Sequence, residues 1–139
     1  MRQPPAPASA PQPGPSAGLL AACLCAGWCR VCEAYQAIWE QAEAEWPDVA
    51  FRWVDIEDEA ELLGDLDIED FPSLLIVRDG EVRFFGPALP HADTLRRLLR
   101  SAADAPPVPV EAVVTRLACE LVQEAQLGFV NPPHRSAAG

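Results

Sequence analysis

Apolar positions along this chain follow two rhythms. Residues 19–25, LLAACLC, are apolar without a break, the pattern of a strand buried on both faces. Residues 49–55, 73–77 and 81–85 read as three further strands. Between them the spacing lengthens to three and four. Tyr35, Ile38, Ala42 and Trp46 share one side of a helix over 29–46, and Pro47 stops it. Residues 57–66 read as a short acidic helix. Leu95, Leu98 and Leu99 line a helix over 91–103. Val113, Val114, Leu117, Leu121 and Ala125 line a last one over 110–127. Asp79-Gly80, between two apolar runs, is a two-residue hairpin signal.

The order is therefore βαβαββα plus one helix. Strand, helix and strand at the start predict a right-handed parallel crossover. The hairpin predicts an antiparallel pair. Together they give an α/β fold, a mixed four-stranded sheet flanked by helices. Pro106, Pro107 and Pro109 form a linker to the final amphipathic helix, so 105–130 reads as linker plus helix. Residues 1–18, with six prolines in the first fifteen positions, read as a disordered Pro/Ala-rich leader. Residues 131–139 are expected to fray. Leu20-Ala21-Ala22-Cys23 imitates a lipoprotein cleavage box, but Pro, Gln and Ser fill the space where a secretory signal needs an apolar segment.

Charge narrows the range of partners. The 139 residues carry 21 Asp plus Glu against 10 Arg and no Lys, a net charge of -11. A general nucleic-acid binder needs a basic stripe to displace counterions, and none is present. Anionic membrane surfaces are poor partners for the same reason, and no apolar run approaches the roughly 18 residues of a membrane helix. The acidic run Glu57, Asp58, Glu59, Glu61, Asp65, Asp67, Glu69 and Asp70 reads as a solvated face, with docking of a basic partner as the lesser reading.

Chemistry gathers at the cysteines. There are five, and four fall within ten residues: Cys23, Cys25, Cys29 and Cys32. A secreted disulfide scaffold spreads its cysteines through the chain. In Trp28-Cys29-Arg30-Val31-Cys32, two cysteines three positions apart start a helix that follows a strand, so their sulfurs share one side of a turn. Unpaired N–H groups at a helix N-terminus favour a thiolate at Cys29. Thiolate attack on a disulfide is the elementary step of thiol–disulfide exchange. Cys29 is then the nucleophile, and Cys32 releases the product.

The run Leu19-Leu20-Ala21-Ala22-Cys23-Leu24-Cys25-Ala26-Gly27-Trp28-Cys29-Arg30-Val31-Cys32 resembles the active-site strand and helix start of thioredoxin. Residues 51–57, FRWVDIE, resemble its next strand, and residues 67–81, DIEDFPSLLIVRDGE, resemble the stretch with the family's cis-proline and closing hairpin. The likeness covers about residues 19–104, which it implies are a thioredoxin-like domain. It implies that Phe71-Pro72 is a cis peptide facing the sulfurs, and that the backbone beside Pro72 pairs with a bound substrate strand. Trp28, Phe71 and Pro72 are thus the expected substrate-binding residues.

This sequence departs from the family in three ways. Arg30-Val31 stands where Gly-Pro is usual. Cys23 takes the place of the buried Asp that assists the second cysteine, and no Lys is present to partner it. The likeness also implies that the family's first strand and helix are missing, with the leader in their place. Arg30 and Cys23 are accordingly the expected redox-tuning positions. Cys23 and Cys25 lie two apart on a strand and share a face. They read first as small buried hydrophobes, with Cys23 as a third redox thiol beneath Cys32 left open. A four-cysteine zinc or iron–sulfur site is the weaker alternative, because C-x-C-x3-C-x2-C is not knuckle spacing. No metal is assigned.

The expected function is thiol–disulfide oxidoreductase activity on protein or peptide dithiols and disulfides, with a reductase or dithiol as electron donor. No cofactor is required, since the cysteines carry the electrons. The alternative is a thioredoxin-fold interaction or chaperone-like module with little turnover. The expected compartment is the cytoplasm. The final helix packs within the chain or, as the lesser alternative, forms a homodimer. His91, His134 and Cys119 lie outside any motif.

Overall fold

The unbroken apolar run becomes β1, Leu19–Cys25, in which all seven residues are buried. A computed structural model describes residues 18–127. The sheet order is β2-β1-β3-β4, with β2 at Ala50–Asp55, β3 at Ser73–Arg78 and β4 at Glu81–Pro87. β1 runs parallel to β2, with Leu20 opposite Ala50, and antiparallel to β3, with Leu20 opposite Val77. β3 and β4 form the hairpin. At its turn Asp79 and Gly80 both have positive φ, 53° and 82°, the twist that a tight hairpin between right-twisted strands demands.

A central strand feeds two cores because its side chains alternate. Leu19, Ala21, Cys23 and Cys25 face α1 (Arg30–Glu45) and α3 (Ala92–Asp104), where they meet Tyr35, Trp39, Leu95 and Leu99. Leu20, Ala22 and Leu24 face α2 (Ala60–Leu63) and α4 (Ala112–Gln126), where they meet Leu63, Val114, Leu117 and Leu121. The stripe of α4 is therefore covered by the sheet of its own chain. Arg52 of β2 ties this layer down. Its guanidinium donates to the carboxylate of Glu59, ahead of α2, and at 3.1 Å to that of Glu124 on α4.

Two expectations are corrected. The opening strand and helix are not missing: the described chain begins with a seven-residue strand at the middle of the sheet, followed by the sixteen-residue α1. The contrary reading rested on the Pro-rich segment, and residues 1–17, like 128–139, lie outside the described residues. The leader and tail expectations fall there too. The acidic helix over 57–66 shrinks to the four residues of α2. Asp55 accepts hydrogen bonds from the backbone N–H groups of Glu57 and Asp58, at 2.9 and 3.2 Å, and holds those residues in a turn instead. The cleavage-box imitation at Leu20-Ala21-Ala22-Cys23 lies inside buried β1.

Candidate functional site

The site forms where β1 ends and α1 begins. Cys25 is the last residue of β1, and residues 26–29 turn the chain back. The Cys29 N–H donates to the Ala26 carbonyl at 3.0 Å, and the Cys29 carbonyl accepts the first helical bond from Glu33 N–H at 3.1 Å. Cys29 is the N-cap of α1, with extended backbone dihedrals of -85° and 122°. It is a free thiol and half-buried. Gly27 is needed in this turn because a Cβ there would stand 2.9 Å from the Asp55 carboxylate, which the Glu57 and Asp58 amides hold in place.

Cys32, one turn further on, is 2% exposed. Its sulfur is bonded to that of Cys25, across a Cα–Cα distance of 5.8 Å, within ordinary disulfide reach. This corrects the reading of Cys25 as only a small buried hydrophobe. It also places Cys25, rather than Cys23, directly against Cys32. Cys23 sits one step behind, with its sulfur 3.5 Å from that of Cys25. Since the bonded Cys25 has no S–H, the Cys23 thiol is the donor. Burial pushes the Cys23 thiol well above its ordinary pKa, so it stays protonated. Burial likewise pushes the Tyr35 hydroxyl up. That hydroxyl has no hydrogen-bond partner among the described residues.

An aromatic rim borders the sulfurs. Trp28 is 65% exposed, and its ring stands edge-on to Phe71 at 5.7 Å between centroids. Phe71 packs on the same core cluster as Cys29, and Phe71-Pro72 is cis. The register of β1 and β3 ends with Leu24 opposite Ser73, so Cys25 and Pro72 come next to each other beyond it. The Pro72 carbonyl accepts from Ala88 N–H at 3.1 Å, which anchors this loop to the end of β4. Arg30 and Val31 are exposed on the first turn of α1. Asp67, Glu69 and Asp70 are exposed beside Phe71.

The structure thus brings together Trp28, Cys29, Cys32, Phe71 and Pro72, with Cys23 behind them. Cys119 is exposed on α4 and His91 is the N-cap of α3; neither joins the site. Among the described residues, no group of three or more His, Cys, Asp or Glu is placed to hold a metal ion. No described helix is long and apolar enough to cross a membrane. Cys25 as the partner of Cys32 was missed in the sequence. Its signal is that both are the residues nearest the turn on core-facing sides of their elements.

Comparison with known proteins places this geometry among relatives. A family model described as Thioredoxin matches residues 19–99, more than half of the chain. A Streptomyces coelicolor protein named "Putative thioredoxin 2" is 38% identical over 68 residues, 48% of this chain and 51% of that protein. The chain thus spans about half the length of that curated relative. A thioredoxin structure from Trypanosoma brucei brucei matches at 27% identity and a TM-score of 0.52, over 62% of this chain and 76% of that one. Oxidised thioredoxin from Plasmodium falciparum matches at 18% identity and a TM-score of 0.54, over 63% and 83% of the two chains, a likeness of fold alone.

Proposed function

This chain belongs to the thioredoxin family, and on that premise we propose that it is an oxidoreductase exchanging disulfides with protein or peptide substrates through Cys29 and Cys32. The observation that carries the reading is the contrast between the two sulfurs. Cys29 is a free, half-buried thiol at a helix N-terminus, while Cys32 lies one turn deeper at 2% exposure. A sulfur that is reached first attacks first.

The Cys29 thiolate attacks one sulfur of a substrate disulfide, forming a mixed disulfide and expelling a substrate thiolate. The Cys32 thiolate then attacks the Cys29 sulfur and expels the second substrate thiolate. The substrate gains two electrons and the protein loses two. A dithiol or a reductase restores the protein, and no cofactor takes part. Trp28 and Phe71 offer an apolar rim for the substrate chain, and its backbone lies along the Pro72 loop by strand addition. In the cytoplasm, the compartment we assign, the net direction is reduction of the substrate.

A second reading has one observation in its favour: Cys32 is bonded to Cys25, which leaves Cys29 single. The groove would then bind partners without turnover. Reduction of a disulfide-linked reporter peptide by excess dithiol separates the two readings. Exchange predicts catalytic turnover that is lost in Cys29→Ser. A wild-type rate no higher than dithiol alone would leave binding as the function.

A further inference from the structure

We propose that Cys25 is a third redox residue of this site, taking Cys32 from Cys29 so that the oxidised protein stores its disulfide in the core and keeps Cys29 as a free thiol. The inference rests on the exchange chemistry proposed above and adds an internal step to it. Three observations carry it. Cys25 and Cys32 are joined in the structure. They are 1% and 2% exposed, whereas Cys29 is half-buried and free. Cys29 and Cys32 lie three positions apart at the start of one helix, the spacing that puts two side chains on one side of a turn.

Burial dictates the route. A substrate disulfide is too bulky to reach sulfurs that are 1–2% exposed. Electrons therefore pass through Cys29, the most exposed of the four clustered cysteines. After substrate release the protein holds a Cys29–Cys32 disulfide. The Cys25 thiolate then attacks the Cys32 sulfur. The Cys25–Cys32 bond forms, the Cys29–Cys32 bond breaks, and Cys29 leaves as a thiolate. The proton given up by Cys25 passes to solvent or to Cys29. No electrons leave the protein, so no further oxidant is involved. Reduction runs in reverse: the Cys29 thiolate attacks Cys32, freeing Cys25, and an external dithiol then opens the Cys29–Cys32 bond. Cys23 supports the end state, since its thiol donates to the Cys25 sulfur from 3.5 Å. The neighbouring position of Pro72 beyond the β1–β3 register sets Cys25 under the same loop that the substrate would use.

This predicts an unusual oxidised form. A two-cysteine site has no free thiol at its mouth when oxidised. Here Cys29 stays available to attack a second disulfide, of a substrate or of oxidised glutathione, forming a mixed disulfide and expelling one thiolate.

The test is cysteine mapping on the full-length, wild-type protein, first reduced and then oxidised with one equivalent of diamide, which leaves no thiol adduct on Cys29. Iodoacetamide labels exposed thiols in the native state. Isotope-labelled N-ethylmaleimide then labels buried free thiols in denaturant. Arg30 lies between Cys29 and Cys32, so trypsin separates residues 3–30 from 31–52 and the disulfide rejoins them. The relay predicts iodoacetamide on Cys29, maleimide on Cys23 and no label on Cys25 or Cys32. Maleimide on Cys25 with Cys29 unlabelled would overturn it. In Cys25→Ala, the relay predicts that the native label on Cys29 falls to background, because Cys29–Cys32 is then the final pair. Persistent labelling of Cys29 in that variant would count against the relay, and the wild-type map stands even if the variant does not fold. Reporter turnover measured beside the map keeps the two claims apart. Normal turnover with a Cys29–Cys32 pair removes the relay and leaves exchange intact, whereas no turnover in the wild type removes both.

Discussion

The Cys32 sulfur is bonded to that of Cys25, across the turn that leaves Cys29 free at the head of α1. This relationship separates two properties that a CxxC pair usually combines. The thiol that meets a substrate is at the surface, and the disulfide is beneath it. Both follow from the fold. β1 delivers Cys25 to the core-facing side of its last position, and α1 turns Cys32 toward the same cluster.

Arg30 is where that separation becomes measurable. On the sequence alone, a cation beside Cys29 stabilises its thiolate and hence the reduced form, so Arg30→Gly lowers the reduction potential. With Cys25–Cys32 as the final disulfide, Cys29 is unpaired in both the reduced and the oxidised protein. Its interaction with Arg30 then cancels from the potential and acts only on rate. Arg30→Gly is expected to slow mixed-disulfide formation several-fold while moving the potential by less than about 10 mV, where about 30 mV corresponds to about 1.4 kcal/mol. Redox titration and stopped-flow trapping, taken together, check it. A clear drop in potential would restore Cys29 to the couple.

Leu117 tests the second core. It is fully buried in α4, against the face built by Leu20, Ala22 and Leu24. Leu117→Ala is expected to destabilise the protein by about 2–5 kcal/mol, the usual cost of such a cavity. Reporter turnover in the folded variant should be unchanged, because the sulfurs lie on the opposite face of the sheet. Urea unfolding and a rate measurement suffice. A loss below about 0.5 kcal/mol, the range of surface changes, would mean that α4 is an appendage.

Arg52 tests how that layer is held. Its side chain is 6% exposed and donates to both Glu59 and Glu124, each 27% exposed. Arg52→Met removes the cation and leaves two carboxylates that can still reach water. The expected cost is about 1–3 kcal/mol, below the roughly 3–5 kcal/mol for breaking a fully buried pair. The double variant Arg52→Met, Glu124→Gln should cost less than the sum of the two single changes, since the partners are coupled. Strict additivity would show that the contact contributes nothing.

Much of this fold can be read in the sequence, for reasons that name the residues. Residues 19–25 carry no polar side chain because β1 is covered on both faces, and that pattern is visible without coordinates. Asp79-Gly80 marks its turn because few other pairs tolerate two positive φ angles. α1 is legible from Tyr35, Ile38, Ala42 and Trp46 and from Pro47. The acidic helix is overread because helical propensity says nothing of Asp55, whose carboxylate claims the amides that α2 would have used. The Cys25–Cys32 bond is not legible from spacing. The two are seven positions apart, and only the turn at 26–29 brings their elements together. The missing strand and helix were inferred from prolines that the described structure does not include.

Glu45 gives the pH dependence. The forked hydrogen bonds from Arg96, at 3.1 Å each, hold its carboxyl below the usual carboxylate range and fasten the end of α1 to α3. A carboxyl with a lowered folded-state pKa stabilises the fold above its unfolded value, about 4.3 for Glu. That contribution is lost as pH falls through the lower folded value. Glu45→Gln is therefore expected to be less stable than the wild type at pH 7, and the gap should close below about pH 4. Thermal unfolding at both pH values reads it out. A gap that widened in acid would reverse the sign of the argument.

The most direct test of the central claim, that Cys29 attacks and Cys32 resolves, is trapping of mixed disulfides with two variants, each lacking one of these two cysteines. Each also carries Cys119→Ser, because Cys119 is an exposed free thiol, and is incubated with a disulfide-linked reporter peptide, quenched in acid and read by intact mass. Cys32→Ser should accumulate protein carrying one peptide adduct on Cys29, because the resolving sulfur is gone. Cys29→Ser should accumulate none, since Cys32 and Cys25 are 2% and 1% exposed. Equal trapping by the two variants, or an adduct only in Cys29→Ser, would contradict the account.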